Sequence, residues 1–336
     1  MIRLLTWISA GADRLIVRAG VRRHRLIGLA ITRIIIGATT ILYCLADYSR
    51  REFFWGPRGY ISPAIASAGI PRWGFSIFLF SNSELWFELI FNLCIVVAVA
   101  FMVFGGQALT AAQAVMLWSL HYRNQDILDG GDNLAQILII FMMFTVTNAY
   151  FAPGARKRRE RIFADDGQPR SAVLVHNVAA YLVVFQTCVL YLAAGYWKMF
   201  GTLWQNGVAM YYISRVQQFD MFSAFGQVMN NPYVGTAVCW ATIVIEVGFT
   251  FSVLSTRPWL RKANILLIEG MHMGIIIFMG LVTFGLIMIG ADSVCLRDDD
   301  YRTMRRYAAE AWDFARQRRA TLQGHRPVPE LETGRV

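Results

Sequence analysis

Apolar positions in this chain do not fall on one helical stripe or alternate as in a half-buried strand; they fill long, nearly uncharged stretches separated by short polar turns. Such stretches lie at 26–47, 85–104, 106–121, 134–151, 173–197, 233–255 and 263–290. Most approach the roughly 20 residues a helix needs to cross hydrocarbon. The pattern predicts an all-α fold, a polytopic transmembrane helical bundle of about seven spans, with six and eight as the neighbouring counts. Ile61 to Ser81 is also apolar, but Pro63 and Pro71 break it, so it reads as an interfacial or re-entrant segment. The organisation that follows is a basic N-terminal segment over 1–25, a membrane domain over 26–296 and a polar tail over 297–336, helical or partly disordered. Neither an internal repeat nor a low-complexity segment stands out.

Composition agrees: 56% of residues are hydrophobic and 16% charged, with a mean hydropathy of +0.43. The lipid bilayer is therefore the first partner, and the net charge of +10 is read as topology, not as a nucleic-acid footprint. Six arginines fall at or before Arg25, six basic residues lie between Arg156 and Arg170, and three lie in RPWLRK. Seven spans put these on one side, the cytoplasmic one, with the N-terminus. Lys198 and the loop holding Asp129 and Asp132 then face the other side. The tail departs from the pattern, since nine arginines follow Ala291 where seven spans end outside, although eight acidic residues nearly balance them. No cleavable signal peptide is evident, and the first span serves as the anchor. Cys44, Cys94, Cys188, Cys239 and Cys295 are scattered and form no CxxC pair, which reads as buried structural thiols.

Charges inside spans need a reason. Glu269 and His272 are three residues apart, so a helix puts them on one face, where a carboxylate can orient an imidazole; the pair serves either to hold helices together or in a proton path. Glu246 and Arg33, both intramembrane, are candidates to neutralise one another. In the DGGD turn, Asp132 stands to cap a helix beginning near Leu134. With Asp129 and Asn124, and with His121 and Asp126 nearby, it could also form a polar mouth, but the spacing matches no metal motif and no bound metal is expected. Lys198 ends an apolar run and is followed by aromatics and glycines. It either snorkels to the membrane surface, among Trp197, Trp204, Tyr211 and Tyr212 at headgroup level, or sits in a pocket that frees its amine for proton chemistry.

KMFGTLWQNGVAMYY from Lys198, the DGGDNL loop, IEVGFTF beside STRPW, and HMGIIIFMGLVTFGLIMIGAD together resemble the HTTM family, the membrane region shared with vitamin K-dependent gamma-carboxylases. The final AD, followed by LRDDDYR, is most similar to the bacterial sporulation-delaying-protein B (SdpB) group. The likeness runs from about His24 to Tyr301. It implies a bacterial plasma-membrane protein supporting maturation of a secreted peptide toxin, with a precursor peptide and a small companion protein as partners. Through the carboxylases it implies a second reading: Lys198 as the base that deprotonates a reduced, vitamin K-like quinone, with Trp197, Trp204 and Gly207 at the cofactor and His272 and Glu269 as further catalytic candidates. The large lumenal region of the carboxylases has no counterpart in the short tail. A small-molecule or peptide transporter is the third class, resting only on the embedded charges.

Overall fold

The computed structural model describes residues 21–164, 169–219 and 224–324; most of the expected basic N-terminal segment and the end of the tail lie outside the described residues. Its main helices are α1 (Leu26–Ala46), α2 (Glu84–Phe104), α3 (Gln107–Arg123), α4 (Gly130–Met142), α5 (Arg170–Phe200), α6 (Pro232–Leu254), α7 (Pro258–Met279), α8 (Val282–Cys295) and α9 (Asp298–Gly324). Among the described residues there is no strand. Five helices, α1, α2, α5, α6 and α7, are long and apolar enough to cross a membrane; α4 and α8 are apolar but shorter. The chain through Arg297 forms one compact unit, and the polar α9 belongs to another.

Three of the seven expected spans take a different form. The stretch 106–121 is helical, as α3, but with 17 residues that include Gln107, Gln113, His121 and Arg123 it is not among the helices long and apolar enough to cross. The stretch 134–151 is helical only to Met142, because Thr145 turns its hydroxyl onto the Met142 carbonyl and Thr147 accepts from the Gly106 amide, contacts that compete with helix. At about 1.5 Å per residue, α4 covers only some 20 Å. The stretch 263–290 is two helices: Gly280, at φ 70°, ends α7 and Val282 opens α8. Asp129, not Asp132, is the N-cap of α4, and the two carboxylates form a reciprocal capping box in which Asp132 accepts from the Asp129 amide.

α1 is gripped on both flanks. Its Gly37 meets the Met102 side chain of α2, and its Gly28 lies directly against the Ser293 carbonyl of α8. Thr32 Oγ1 donates to the Gly290 carbonyl at 2.7 Å, and Arg25 caps the end of α8 through the carbonyls of Val294 (3.1 Å) and Cys295 (2.6 Å). Burial holds the Arg25 guanidinium below the ordinary arginine range; Arg297 and Arg261 add to the effect, and Cys295 and Tyr181 oppose it. Arg33, fully buried, gives its protons to the carbonyls of Val103 (3.1 Å), Tyr150 (3.4 Å) and Phe151 (2.7 Å). It therefore satisfies the C-terminal end of α2 and does not pair with Glu246.

The segment between α1 and α2 makes no crossing helix. A short helix, Pro63–Gly69, is capped by Ser62, and the segment is tied down by Ser76 donating to the Ser119 carbonyl at 2.6 Å. Trp55, Phe78, Phe87 and Phe91 pack with Cys44, Cys94, Met116 and Leu120 beneath it. All five cysteines are buried and free. In α9, Asp298, Asp299 and Asp300 occupy the first turn, where they complement the helix dipole, and Arg302 bonds back to Asp299 at 2.8 Å.

Candidate functional site

The site begins where α5 and α6 touch. Gly195 lets the α6 backbone come so close that a β-carbon there would lie 2.7 Å from a Val247 methyl and 3.1 Å from the Val247 amide nitrogen. That contact sets the two helices in register. One turn further along α5, Lys198 Nζ donates to both oxygens of Glu246, at 2.7 Å each. Glu246 sits well inside α6 with its side chain 7% exposed, and Lys198 is 23% exposed. Lys198 thus does not snorkel outward. It reaches a carboxylate that would otherwise be an unpaired buried charge. The Trp204 ring, carried by the short helix Thr202–Gln205, covers the ammonium with its centroid 5.3 Å away.

The pair forms part of the wall of a half-open cavity of about 630 Å³ bounded by α5 to α8 and by the short helices Thr202–Gln205, Ala209–Ile213 and Ala224–Met229. Its lining is overwhelmingly apolar and rich in methionine: Met210, Met229, Met271, Met279 and Met288 contribute. Flexible thioethers suit an adaptable lipophilic site. Gly130 of the DGGD turn also lines it, whereas Asp129 and Asp132 do not.

A second polar group belongs to α7 and α8. His272, 1% exposed, lines the cavity between the rings of Tyr191 and Phe284, whose centroids are 6.0 and 6.1 Å from its own. Its Nδ1 faces Asp292 Oδ2 at 3.9 Å, beyond a hydrogen bond. Asp292, 0% exposed, accepts from the Tyr191 hydroxyl at 2.8 Å. The carboxylate beside His272 is therefore Asp292. Glu269 is half-buried, and no hydrogen bond joins it to His272.

Of the residues singled out in the sequence, the cavity gathers Lys198, Trp204, Glu246 and His272, and leaves out Trp197, Gly207, Glu269 and Arg33. Trp197 is 72% exposed. Gly207, at φ 69°, is a hinge that redirects the chain between two short helices and accepts from the Thr236 hydroxyl at 3.3 Å. Asn124 is buried, donating to the Phe54 carbonyl and accepting from the Tyr60 hydroxyl, both at 2.9 Å, so it fastens a loop and forms no mouth. Asp132 faces His121 at 3.7 Å, and Gln136 holds the other side of that imidazole. Tyr191 and Asp292 were missed by sequence reasoning. Tyr191 is seven residues before Lys198, two helical turns on the same face, and Asp292 follows the last apolar stretch by only two residues; both spacings were legible signals.

No family model matches the chain, and no solved structure matches it. Among curated proteins, it is 21% identical over 271 residues to the uncharacterized protein YitO of Bacillus subtilis (strain 168), an alignment covering 77% of this chain and 82% of that protein.

Proposed function

We propose that this chain is a multi-pass enzyme of the bacterial plasma membrane, N-terminus cytoplasmic, whose cavity binds a lipophilic quinol and removes a proton from it through Lys198 and Glu246. The single observation that carries this reading is the two-oxygen contact between Lys198 and Glu246 in the wall of an apolar cavity. Where water is scarce, an ion pair and its neutral counterpart lie much closer in energy than in bulk solvent. Lys198 can then pass a proton to Glu246: one N–H bond breaks, one carboxyl O–H forms, and a neutral amine faces the cavity. That amine takes the hydroxyl proton of the ligand, leaving an oxyanion beside a restored ammonium. The net transfer is one proton from the quinol to Glu246. A reaction of this kind fits the carboxylase-type chemistry implied by the resemblance. The peptide precursor and companion protein would then be what receives the activated product, an expectation carried by the resemblance alone.

The test compares variants at equal membrane abundance in nanodiscs, following quinol-dependent oxygen uptake. Lys198→Arg and Glu246→Gln should each lose about 100-fold or more, since guanidinium does not give up its proton and an amide cannot take one. Wild-type turnover in the arginine variant would reduce the pair to a structural anchor and leave the chain as a platform for peptide maturation.

A further inference from the structure

The polar α9 carries a pattern that the cavity does not use. From 301 to 316, successive positions turned by about 100° each sort into two sectors. Tyr301, Met304, Tyr307, Trp312 and Phe314, with alanines between them, fill one arc of about 160° that no charged residue interrupts. Arg302, Arg305, Arg306 and Arg316 stand on the other, where Glu310 and Asp313 are the acids. The apolar arc lies open: Met304 and Tyr307 are exposed, Trp312 is 70% exposed and Phe314 68%. Large apolar side chains exposed contiguously along one face of a helix mark a surface that meets a partner.

We propose that α9 is an interfacial helix that lies along the surface of a bilayer containing anionic lipid, its apolar arc sunk to the boundary of headgroups and acyl chains and its arginines on lipid phosphates. Whatever ligand the cavity takes, this inference is unaffected. Attachment favours a bilayer, because only Leu296 and Arg297 join α9 to α8; the helix is already held at the membrane, and the surface contact has only to orient it. The distribution of side chains favours lipid over a second copy of the helix. A self-pairing helix sets its largest apolar side chains along the middle of a narrow seam. Here the middle of the arc is Met304, Ala308, Ala311 and Ala315, while Tyr307 and Phe314 stand at one margin and Trp312 at the other. At the margins, tyrosine and tryptophan rings enter the apolar layer and keep their polar edges among headgroups. Arg305 and Arg316 follow directly beyond the Trp312 margin, where a long arginine reaches phosphate. The acidic first turn opposes anionic lipid, and Arg302 offsets part of it by its 2.8 Å contact with Asp299.

The test places a nitroxide label on α9 of the full chain in nanodiscs made with phosphatidylglycerol and phosphatidylcholine. Because the five native cysteines are buried, a single added cysteine takes the label, and the unsubstituted chain gives the background. Ala311→Cys and Ala315→Cys sit in the middle of the apolar arc; Ala309→Cys and Asp313→Cys sit opposite. Labels at 311 and 315 should relax faster with oxygen, which concentrates in lipid, than with a water-soluble nickel chelate, and labels at 309 and 313 should show the reverse. Four labels equally open to nickel would overturn the proposal in favour of a helix in water. Arc labels shielded from both reagents would overturn it in favour of a protein partner, whether a second copy, the rest of this chain or a peptide. Discs of phosphatidylcholine alone should make the arc labels more open to nickel, and Arg302→Gln, Arg305→Gln, Arg306→Gln and Arg316→Gln together should do the same in anionic discs. Each arginine near an anionic surface is expected to change the ratio of embedded to free helix by about fivefold. The same oxygen preference in both lipids and in the quadruple variant would overturn the assignment to an anionic surface.

Discussion

Lys198 and Glu246 show how a buried charge takes its meaning from its partner. Each is conspicuous in the sequence as a charge next to or within an apolar run, and each could be singled out from the sequence alone. Their pairing could not: they are 48 residues apart, and hydropathy says nothing about which intramembrane cation meets which carboxylate. Arg33 was the plausible partner for Glu246, yet a guanidinium with several donors is well served by the unpaired carbonyls at a helix end, which the sequence does not display. The consequence is measurable. Glu246→Leu alone leaves the ammonium without its carboxylate and should cost about 3 kcal/mol of stability, whereas Lys198→Met with Glu246→Leu together should cost less than the sum. Replacing Arg33 should add to the Glu246 effect without coupling. A thermal-unfolding cycle in detergent checks both; coupling between Arg33 and Glu246 would contradict the observed contacts.

At the scale of elements, apolar stretches in the sequence locate the long helices well but say little about where a helix stops inside such a stretch. Gly280 sits in an unbroken apolar run, so a hydropathy window slides across it, while the backbone uses its positive φ to end one helix and begin the next. The early end of α4 was hidden in the same way, because Thr145 and Thr147 score as tolerable in a span and act instead through their hydroxyls. The close approach at Gly195 was also silent in sequence, where a glycine in an apolar run has many meanings. It is the element-level determinant of the site: Gly195→Leu should push α5 from α6 and separate Lys198 from Glu246, lowering turnover to the level of the Lys198→Arg variant even though no ionisable group is changed. Gly195→Ala should fall between, and full activity in the leucine variant would show that this contact does not position the pair.

At the scale of the whole molecule, the break at Gly280 bears on the charge pattern. With a break at Gly280, α8 runs back along α1 toward Arg25, so the chain leaves its first unit at Arg297 on the end where Arg25 and Arg261 gather. A tail starting on the side of Arg25 and Arg261 is what the positive-inside rule asks, and it requires the short α8 to cross back after α7. Reporter fusions after Arg161 and Arg297 should report the same side, and a fusion after Asp129 the other; opposite readings for the first two would restore an odd number of crossings. The grip of α8 on α1 also has a temporal side. Thr32 finds Gly290 only 258 residues later, and Gly28 finds Ser293 265 residues later, so α1 has no lasting neighbour on that flank until the ribosome has passed α8. Closure over so long a separation is slow. Until then the groove on α1 is open to lipid, to misplaced helices and to membrane quality-control proteases, and a transcript ending before Val282 should yield a short-lived polypeptide however well its earlier helices are inserted.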